Sequence, residues 1–210
     1  SKTYDGNPVN SLPSGLFTIS ASHEASKILF GGSVKGQKNA GNYTAALYST
    51  QTGYDLIGTR SVNYTIAPKP LTASYTAANK VYDGTTAATV SATSGDIVAG
   101  DAVTIGATGA FADKNAGTGK TVNITGGALT GADAGNYSLQ NATGTATADI
   151  TPRPVTVSAD AKNKTEGEAD PALTYSTGCA AGQTTNCGLV AGESLTAVSY
   201  THLTLPTIYA

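Results

Sequence analysis

The middle of the chain consists of short segments in which β-branched, aromatic and small apolar residues alternate with polar ones. Gly, Asn and Asp separate these segments and favour turns between them. A period of two residues is the pattern of a half-buried strand, so we predict strands at 71–77, 87–93, 101–111, 120–130, 136–142 and 144–150. No long segment has helical periodicity, and HEASKILF at 23–30 predicts at most one or two helical turns. The pattern therefore predicts an all-β chain.

Three motifs occur twice along the chain, in the same order each time. Tyr-Asp-Gly begins at Tyr4 and again at Tyr82, 78 residues later. NAGNYT at 39–44 is matched by DAGNYS at 133–138, and YTIAPKPLT at 64–72 is matched by ADITPRPVT at 148–156. Repetition at this spacing indicates tandem units of about 80 residues, the size of a small β-domain.

The repeats divide the chain into three units. We predict a first unit at 1–67 that lacks its first strand, a complete unit at 68–151 and a truncated third unit at 152–197. Each I-x-P-x-P stretch predicts a stiff crossover between units, because proline cannot donate to a strand ladder and favours an extended backbone. Stiff junctions between similar domains favour a rod over a globule, so we expect an extended array of small antiparallel β-domains.

The Tyr-Asp-Gly motif is interpreted as a structural landmark of the unit rather than as a reactive site. We expect its glycine to supply a turn with positive φ and its tyrosine to pack beside that turn. In the third unit Glu166-Gly167 keeps an acidic residue and a glycine but loses the aromatic residue. The residues assigned to this landmark are Tyr4, Asp5, Gly6, Tyr82, Asp83 and Gly84.

The second tyrosine motif resembles the tyrosine corner of immunoglobulin domains, in which the hydroxyl group hydrogen-bonds to backbone a few residues upstream. Its D-x-G-x-Y spacing is formed by Asp133, Gly135 and Tyr137, and the same spacing leads from Asn39 to Tyr43. This spacing favours an immunoglobulin-like sandwich. The cysteine that usually follows the tyrosine and the usual tryptophan are both missing, so a β-grasp-like unit is the alternative.

Composition excludes several classes of function. Charged residues make up 12% of the chain and the net charge is −2, so there is no basic surface for nucleic acid. No apolar run approaches the length of a membrane span, and we expect no membrane insertion in this segment. No His/Cys cluster has the spacing of a metal site, and no glycine-rich stretch is a nucleotide-binding motif. We therefore expect no enzyme, no cofactor and no metal.

The last residues do not continue the repeat pattern. Val198–Thr207, VSYTHLTLPT, resembles the translation of a transposon-end adaptor used in short-read sequencing libraries, with ten consecutive matches. We therefore predict that 198–210 is a non-native tail and exclude it from the fold. This exclusion removes His202 and leaves His23 as the only histidine, in a stretch with no nucleophile motif, so a Ser-His-Asp triad is not expected.

Two family resemblances cover nearly all of residues 1–197. The chain resembles the YDG-type repeats of filamentous-haemagglutinin-like exoproteins at KVYDGTT, FADKNAGTGKTV, LTGADAGNYSL and ITPRPVTV. EGEADPALTY, which begins at Glu166, resembles the related MBG-type repeat, although that family has a tyrosine where Glu166 stands. The resemblance implies an internal fragment of a large adhesin secreted to the surface of a Gram-negative bacterium, with repeats that act as a stalk or spacer. It implies no catalytic and no binding residues.

Two other functions remain open for such a chain. The repeats could bind host-surface glycan or protein directly, or they could be accessory modules of a secreted carbohydrate-active enzyme. In the stalk interpretation the expected partners are the neighbouring repeats of the same chain.

The two cysteines, Cys179 and Cys187, lie eight residues apart in STGCAAGQTTNCGLV. In a surface protein such a pair is expected to close a loop with a disulfide. A loop this short contributes only about 2–3 kcal/mol in the chain-entropy account of disulfides.

Overall fold

The computed structural model describes residues 1–11, 15–17, 27–50, 52, 56 and 58–196. These residues form strands and a turn of 3-10 helix at Ala134–Asn136, with Lys27 also in 3-10 conformation, so the predicted all-β class is confirmed. No helix in this part of the chain is long and apolar enough to cross a membrane. His23 and the predicted tail at 198–210 lie outside the described residues.

Fifteen strands are described, and eight of them overlap the six predicted segments. Segments 101–111, 120–130 and 144–150 become single strands, whereas 71–77 and 87–93 are each divided between two strands and 136–142 is shortened. The strands are β1 (Lys2–Thr3), β2 (Ile28–Gly31), β3 (Gly41–Ser49), β4 (Ser61–Ala67), β5 (Lys69–Leu71), β6 (Ser74–Ala77), β7 (Lys80–Val81), β8 (Ala87–Ala88), β9 (Val90–Thr93), β10 (Thr104–Phe111), β11 (Gly117–Thr130), β12 (Tyr137–Leu139), β13 (Gly144–Thr151), β14 (Thr156–Ala159) and β15 (Tyr175–Gly178).

Of the segment 23–30, for which at most one or two helical turns are predicted, residues 27–30 are described: Lys27 is in 3-10 conformation, and the helical prediction is wrong from Ile28 onward. Ile28–Gly31 is strand β2, and it pairs antiparallel with β3 so that Phe30 lies opposite Leu47. Pairing with a distant strand outweighs the local pattern here, because a segment this short has little helical stability of its own.

The four strands of one larger sheet are arranged like the first four strands of the other. One has the order β1-β4-β3-β2 and the other the order β7-β13-β11-β10-β8. In each, a two-residue strand just before Tyr-Asp-Gly pairs parallel with the strand that leads into I-x-P-x-P, with Lys2 opposite Ile66 and Lys80 opposite Ile150. The sheets are therefore mixed, and the expectation of purely antiparallel pairing is corrected at these positions.

The chain forms two compact units. The first contains 1–77, 88–110 and 122–146, and the second contains 78–87, 111–121 and the described residues from 147 onward. These units differ from the predicted repeats, since residues of the range 68–151 occur in both.

The first unit has one hydrophobic core with contributions from two predicted repeats. Tyr4, Ile66 and Leu71 are among its largest fully buried side chains, and Tyr137 is 6% exposed. Because Tyr4 and Ile66 precede residue 68 whereas Leu71 and Tyr137 follow it, the first and second repeats pack around a shared core.

The second unit buries Phe111 and Ile150, but the third predicted repeat contributes little to its interior. Among the described residues of 152–196, only Cys187 and Gly188 are buried. A disulfide joins Cys179 to Cys187 across a Cα–Cα distance of 5.1 Å, just after β15. The part of the third repeat that is buried is therefore the part that the disulfide closes.

Candidate functional site

The side chain of Tyr4 lies in the interior of the first unit and reaches into the second repeat. Its backbone N–H donates to the carbonyl oxygen of Ala67 at 2.8 Å, which places the tyrosine directly after the short β1–β4 pairing. The side chain is 1% exposed, and its hydroxyl group donates to Oδ2 of Asp101 at 2.7 Å. We call the contacts of Tyr4, Gly6 and Lys69 with the turn Val98–Asp101 the first clamp.

The glycine of the motif makes room for the valine of that turn. Gly6 has φ +77°, and a Cβ at this position would lie 2.8 Å from Cγ1 of Val98. No residue with a side chain could keep both this backbone conformation and this contact. The predicted positive-φ turn is present at Gly6 and also at Gly84, whose φ is +77° as well.

The aspartate of the motif shapes the turn. Oδ1 of Asp5 accepts from Nζ of Lys2 at 2.6 Å and from the backbone N–H of Asn7 at 2.9 Å. Asp83 accepts in the same way from Lys80 and from the backbone of Thr85. The Lys80 hydrogen bond is the main cause that lowers the pKa of the Asp83 carboxyl to about 2. The carboxylates of both aspartates thus accept hydrogen bonds within their own turns.

The turn held by the clamp has its own glycine. The N–H of Asp101 donates to the carbonyl of Val98 at 3.1 Å, and Gly100 has φ +94°. A positive φ at the third position is the signature of a type II turn. Nζ of Lys69, from the I-x-P-x-P stretch, donates to the carbonyl of Asp96 at 2.5 Å, two residues before Val98.

The Asp101 carboxylate is the electrostatic centre of the first clamp. Besides Tyr4, the hydroxyl group of Tyr137 donates to the same Oδ2 at 2.5 Å, and the two rings meet edge to face with centroids 5.5 Å apart. Burial raises the pKa of the Asp101 carboxyl, but the two hydroxyl hydrogen bonds and the charges of Lys38 and Lys69 together hold that pKa below its ordinary value. Burial and the hydrogen bond to Asp101 raise the pKa of Tyr4 and of Tyr137.

The tyrosine-corner resemblance gives the right contact for one tyrosine and the wrong one for the other. The Tyr43 hydroxyl donates to the carbonyl of Asn39 at 2.9 Å, four residues upstream. Tyr137 instead donates to Asp101 and accepts from the backbone N–H of Val98 at 2.9 Å. The prediction is wrong for Tyr137 because the partly buried carboxylate of Asp101 is a stronger acceptor than a nearby carbonyl.

The other two residues of that motif shape the chain before Tyr137. Oδ2 of Asp133 accepts from the backbone N–H of Ala102 at 2.9 Å, and Gly135 lies in the 3-10 turn. Tyr43 and Tyr137 also lie on strands that do not correspond. KNAG leads into β3 and recurs before β11, so β3 corresponds to β11, and among the described residues of the first repeat no strand corresponds to β12 with Tyr137.

The second unit contains a second clamp, formed by Tyr82, Gly84 and Arg153 with the turn Val190–Glu193. The N–H of Tyr82 donates to the carbonyl of Thr151 at 2.9 Å, and its hydroxyl group donates to Oε1 of Glu193. A Cβ on Gly84 would lie 2.9 Å from Cγ1 of Val190. This clamp repeats the geometry of the first, with glutamate in the place of aspartate.

The remaining contacts of the second clamp also have counterparts in the first. The N–H of Glu193 donates to the carbonyl of Val190 at 3.0 Å, and Gly192 has φ +86°. Nε of Arg153 donates to the carbonyl of Gly188 at 2.8 Å, again two residues before the valine. The Tyr82 hydrogen bond and the ion pair with Lys114, whose Nζ is 3.3 Å from Oε1, lower the pKa of Glu193.

Sequence reasoning missed the turn that each clamp holds, although the sequence contains its signal. VAGD at 98–101 and VAGE at 190–193 differ only in the length of the acidic side chain. KNAG, at 38–41 and 114–117, is a second such signal, since its lysine acts on the clamp carboxylate in both units. Within the described residues, no group of three or more His, Cys, Asp or Glu side chains is placed to hold a metal ion.

Comparison with known proteins identifies two domain families in the chain. Residues 67–147 match the model of the YDG domain, and residues 155–207 match the model of the MBG domain of the YGX type. The chain is thus a protein of small β repeats. Within it, the matches confirm the YDG-type resemblance for residues 67–147 and the MBG-type resemblance for residues 155–207. No curated protein and no solved structure gives a significant match.

The second match includes residues 198–207, the stretch assigned above to an adaptor. The adaptor origin of that stretch and the unit boundaries at 67/68, 151/152 and 197/198 stay predictions.

The lowered pKa of Asp101 predicts a specific loss of stability in acid. A carboxyl group whose pKa is lower in the folded chain stabilises the fold above its unfolded pKa of about 3.9, and this contribution is lost as the pH falls through the folded pKa. We expect Asp101→Asn to lower the free energy of unfolding at pH 7 by about 1–3 kcal/mol, because a carboxylate with two hydroxyl donors is lost. Its deficit should shrink as the pH falls from about 4 to 2.

Urea unfolding at several pH values checks this expectation. Glu168→Gln makes the matching chemical change at an exposed residue and should follow the unsubstituted chain at every pH. A constant deficit for Asp101→Asn from pH 7 to pH 2 would contradict the electrostatic account.

The geometry of the second clamp predicts which of two substitutions lowers the free energy of unfolding more. Gly84→Val forces a branched side chain into a positive φ and against Val190, so we expect a loss of about 2–4 kcal/mol. Tyr82→Phe removes one hydrogen bond of a half-buried hydroxyl group and should cost less. Thermal unfolding followed by circular dichroism measures both.

Gly182→Val is the matched control for backbone strain. Gly182 has φ +84°, but a Cβ there meets nothing within 4 Å. Gly84→Val should therefore lower the melting temperature more than Gly182→Val does. Equal melting temperatures for Gly84→Val and Tyr82→Phe would refute the steric role of the glycine.

Proposed function

We propose that this chain is a stalk or spacer segment of a secreted, cell-surface adhesin of a Gram-negative bacterium, and that it has no catalytic activity. The YDG and MBG domains support a repeat module of this kind. The disulfide between Cys179 and Cys187 fits an oxidising environment outside the cytoplasm.

The clamps are the observation that carries the proposal. Within the first unit the first repeat holds a turn of the second repeat, and within the second unit the second repeat holds a turn of the third. In each clamp a buried or half-buried tyrosine, a glycine and a basic side chain act together. A spacer needs consecutive repeats to be joined by side-chain contacts as well as by the chain, and both clamps meet this requirement.

The position of the basic residue explains why proline brackets it. Lys69 is flanked by Pro68 and Pro70, and Arg153 by Pro152 and Pro154. Proline fixes φ on both sides, which lowers the entropy cost of holding the long basic side chain against the turn of the repeat that it begins. This is a physical reason for the predicted stiffness of the crossover.

Small-angle X-ray scattering of the intact chain tests the stalk proposal. We expect a pair-distance distribution with a long tail and a radius of gyration above the roughly 17 Å of a 210-residue globule. A symmetric distribution with a globular radius would contradict the proposal.

A polar depression favours direct glycan binding as a second candidate function. It has a volume of about 490 Å³ in the first unit and is lined by hydroxyl and amide groups, which hydrogen-bond well to sugars. The lining residues are Ser33, Asn42, Tyr43, Thr44, Asn63 and Thr65. Glycan-array binding by the intact chain that Asn63→Ala abolishes would support this function, and an empty array would count against it.

A further inference from the structure

We propose that each clamp recognises the following repeat by a four-residue Val-x-Gly-acid turn, whether that repeat is of the YDG or the MBG type. We further propose that a carboxylate in the place of the clamp tyrosine prevents this recognition. The inference rests on the proposed spacer function and deepens it, because it names the partner that the clamp accepts.

The two occupied clamps show which features of the partner are recognised. The first holds VAGD from the region that matches the YDG domain, and the second holds VAGE from the region that matches the MBG domain. The two domain types differ in sequence around these turns, yet the same three contacts recur. Recognition therefore depends on the turn and not on the domain type.

Each position of the turn has a physical role. The valine methyl group fills the space that the motif glycine leaves, since Cγ1 of Val98 and of Val190 lies 2.8–2.9 Å from where a Cβ would be. The turn glycine takes a positive φ and directs the next side chain back toward the tyrosine. The acidic side chain then accepts from the tyrosine hydroxyl group, while Ala99 and Ala191 at the second position are exposed, so that this position is not restricted to alanine.

The carbonyl group two residues before the valine makes the contact depend on the chain direction of the turn. It accepts from Lys69 in the first clamp and from Arg153 in the second. A partner turn in the reverse chain direction would not present this carbonyl to the basic side chain. The contact thus holds the turn in one chain direction only, against the proline-flanked start of its own repeat.

The third repeat keeps the turn of the motif but changes its acceptor chemistry. Lys164 donates to the carbonyl of Glu168 at 3.4 Å, as Lys80 does to the carbonyl of Thr85 at 2.8 Å. Gly167 has φ +90°, and a Cβ there would meet nothing within 4 Å. Glu166 stands where the MBG-type repeat has its tyrosine, so an incoming acidic side chain would face a second carboxylate. We infer that this turn does not bind a Val-x-Gly-acid turn of a following repeat.

The second clamp is the place to test the rule, because Tyr82 is half-buried and can be changed without opening a core. Tyr82→Glu in the intact chain reproduces the third repeat. We expect amide hydrogen exchange in segments 82–86 and 187–194 to become about three- to tenfold faster. Exchange in segment 98–102, which belongs to the first clamp, should not change.

A second substitution distinguishes a specific loss of the turn contact from a general destabilisation of the fold. With Tyr82→Glu present, Glu193→Gln supplies an amide donor to the new carboxylate, so protection of 187–194 should recover at least in part. Tyr82→Gln removes the aromatic ring without adding charge and should loosen the segment less than Tyr82→Glu. The rule is overturned if Tyr82→Glu leaves 187–194 unchanged, or if Glu193→Gln fails to restore protection.

These outcomes are distinct from a failure of the spacer function. An elongated scattering profile together with unaltered exchange in Tyr82→Glu would keep the spacer and reject the recognition rule. A globular profile with the expected loss and rescue would do the reverse.

Discussion

The hydrogen bond from a tyrosine hydroxyl group to a carboxylate on the next repeat is the interaction on which the first unit depends. A partly buried carboxylate is costly unless it is paired, and Asp101 has two hydroxyl donors and two nearby lysines to offset that cost. The backbone N–H of the same residue closes the turn that Val98 begins. The position of the turn, the burial of Tyr4 and the approach of the two repeats are therefore linked through one residue.

The clamps also explain how a repeat with little interior stays in place. The described part of the third repeat buries only Cys187 and Gly188, and Val157 and Leu173 on its surface are 54% and 71% exposed. Its attachment to the second repeat comes from the Val190–Glu193 turn, which contacts Tyr82 and Gly84, and from Arg153, whose Nη1 donates to the carbonyl of Tyr82 at 3.5 Å. Stability in such a chain is the sum of modest cores and of the contacts between neighbouring repeats, as in other repeat proteins.

Much of the fold could be predicted from the sequence because the β signal is local. Alternation located nearly every strand in 68–151, and Asp-Gly located the positive-φ turns at Gly6 and Gly84. The helical turns at 23–30 were a local inference too, and pairing with β3 overrode it for Ile28–Gly31. The match between the two GNY motifs was misleading because short motifs recur on strands that do not correspond.

The clamp itself could be predicted only in part. Tyr-Asp-Gly and I-x-P-x-P were visible as separate landmarks, but their meeting depends on the parallel pairing of Lys2 with Ile66, which no local pattern indicates. The role of the clamp carboxylates was harder still to predict from the sequence. Asp101 follows a glycine in a turn, where aspartate is common for local reasons, so its long-range partners left no trace in composition or periodicity.

A double-mutant cycle between Tyr4 and Asp101 tests the central claim most directly. Free energies of unfolding would be measured in urea for the intact chain, Tyr4→Phe, Asp101→Asn and the double variant at pH 7. The account predicts a coupling free energy of about 1–2 kcal/mol, because each substitution removes the same hydrogen bond across the repeat boundary. Additive losses, with coupling below about 0.3 kcal/mol, would show that the two side chains do not act together and would contradict the account.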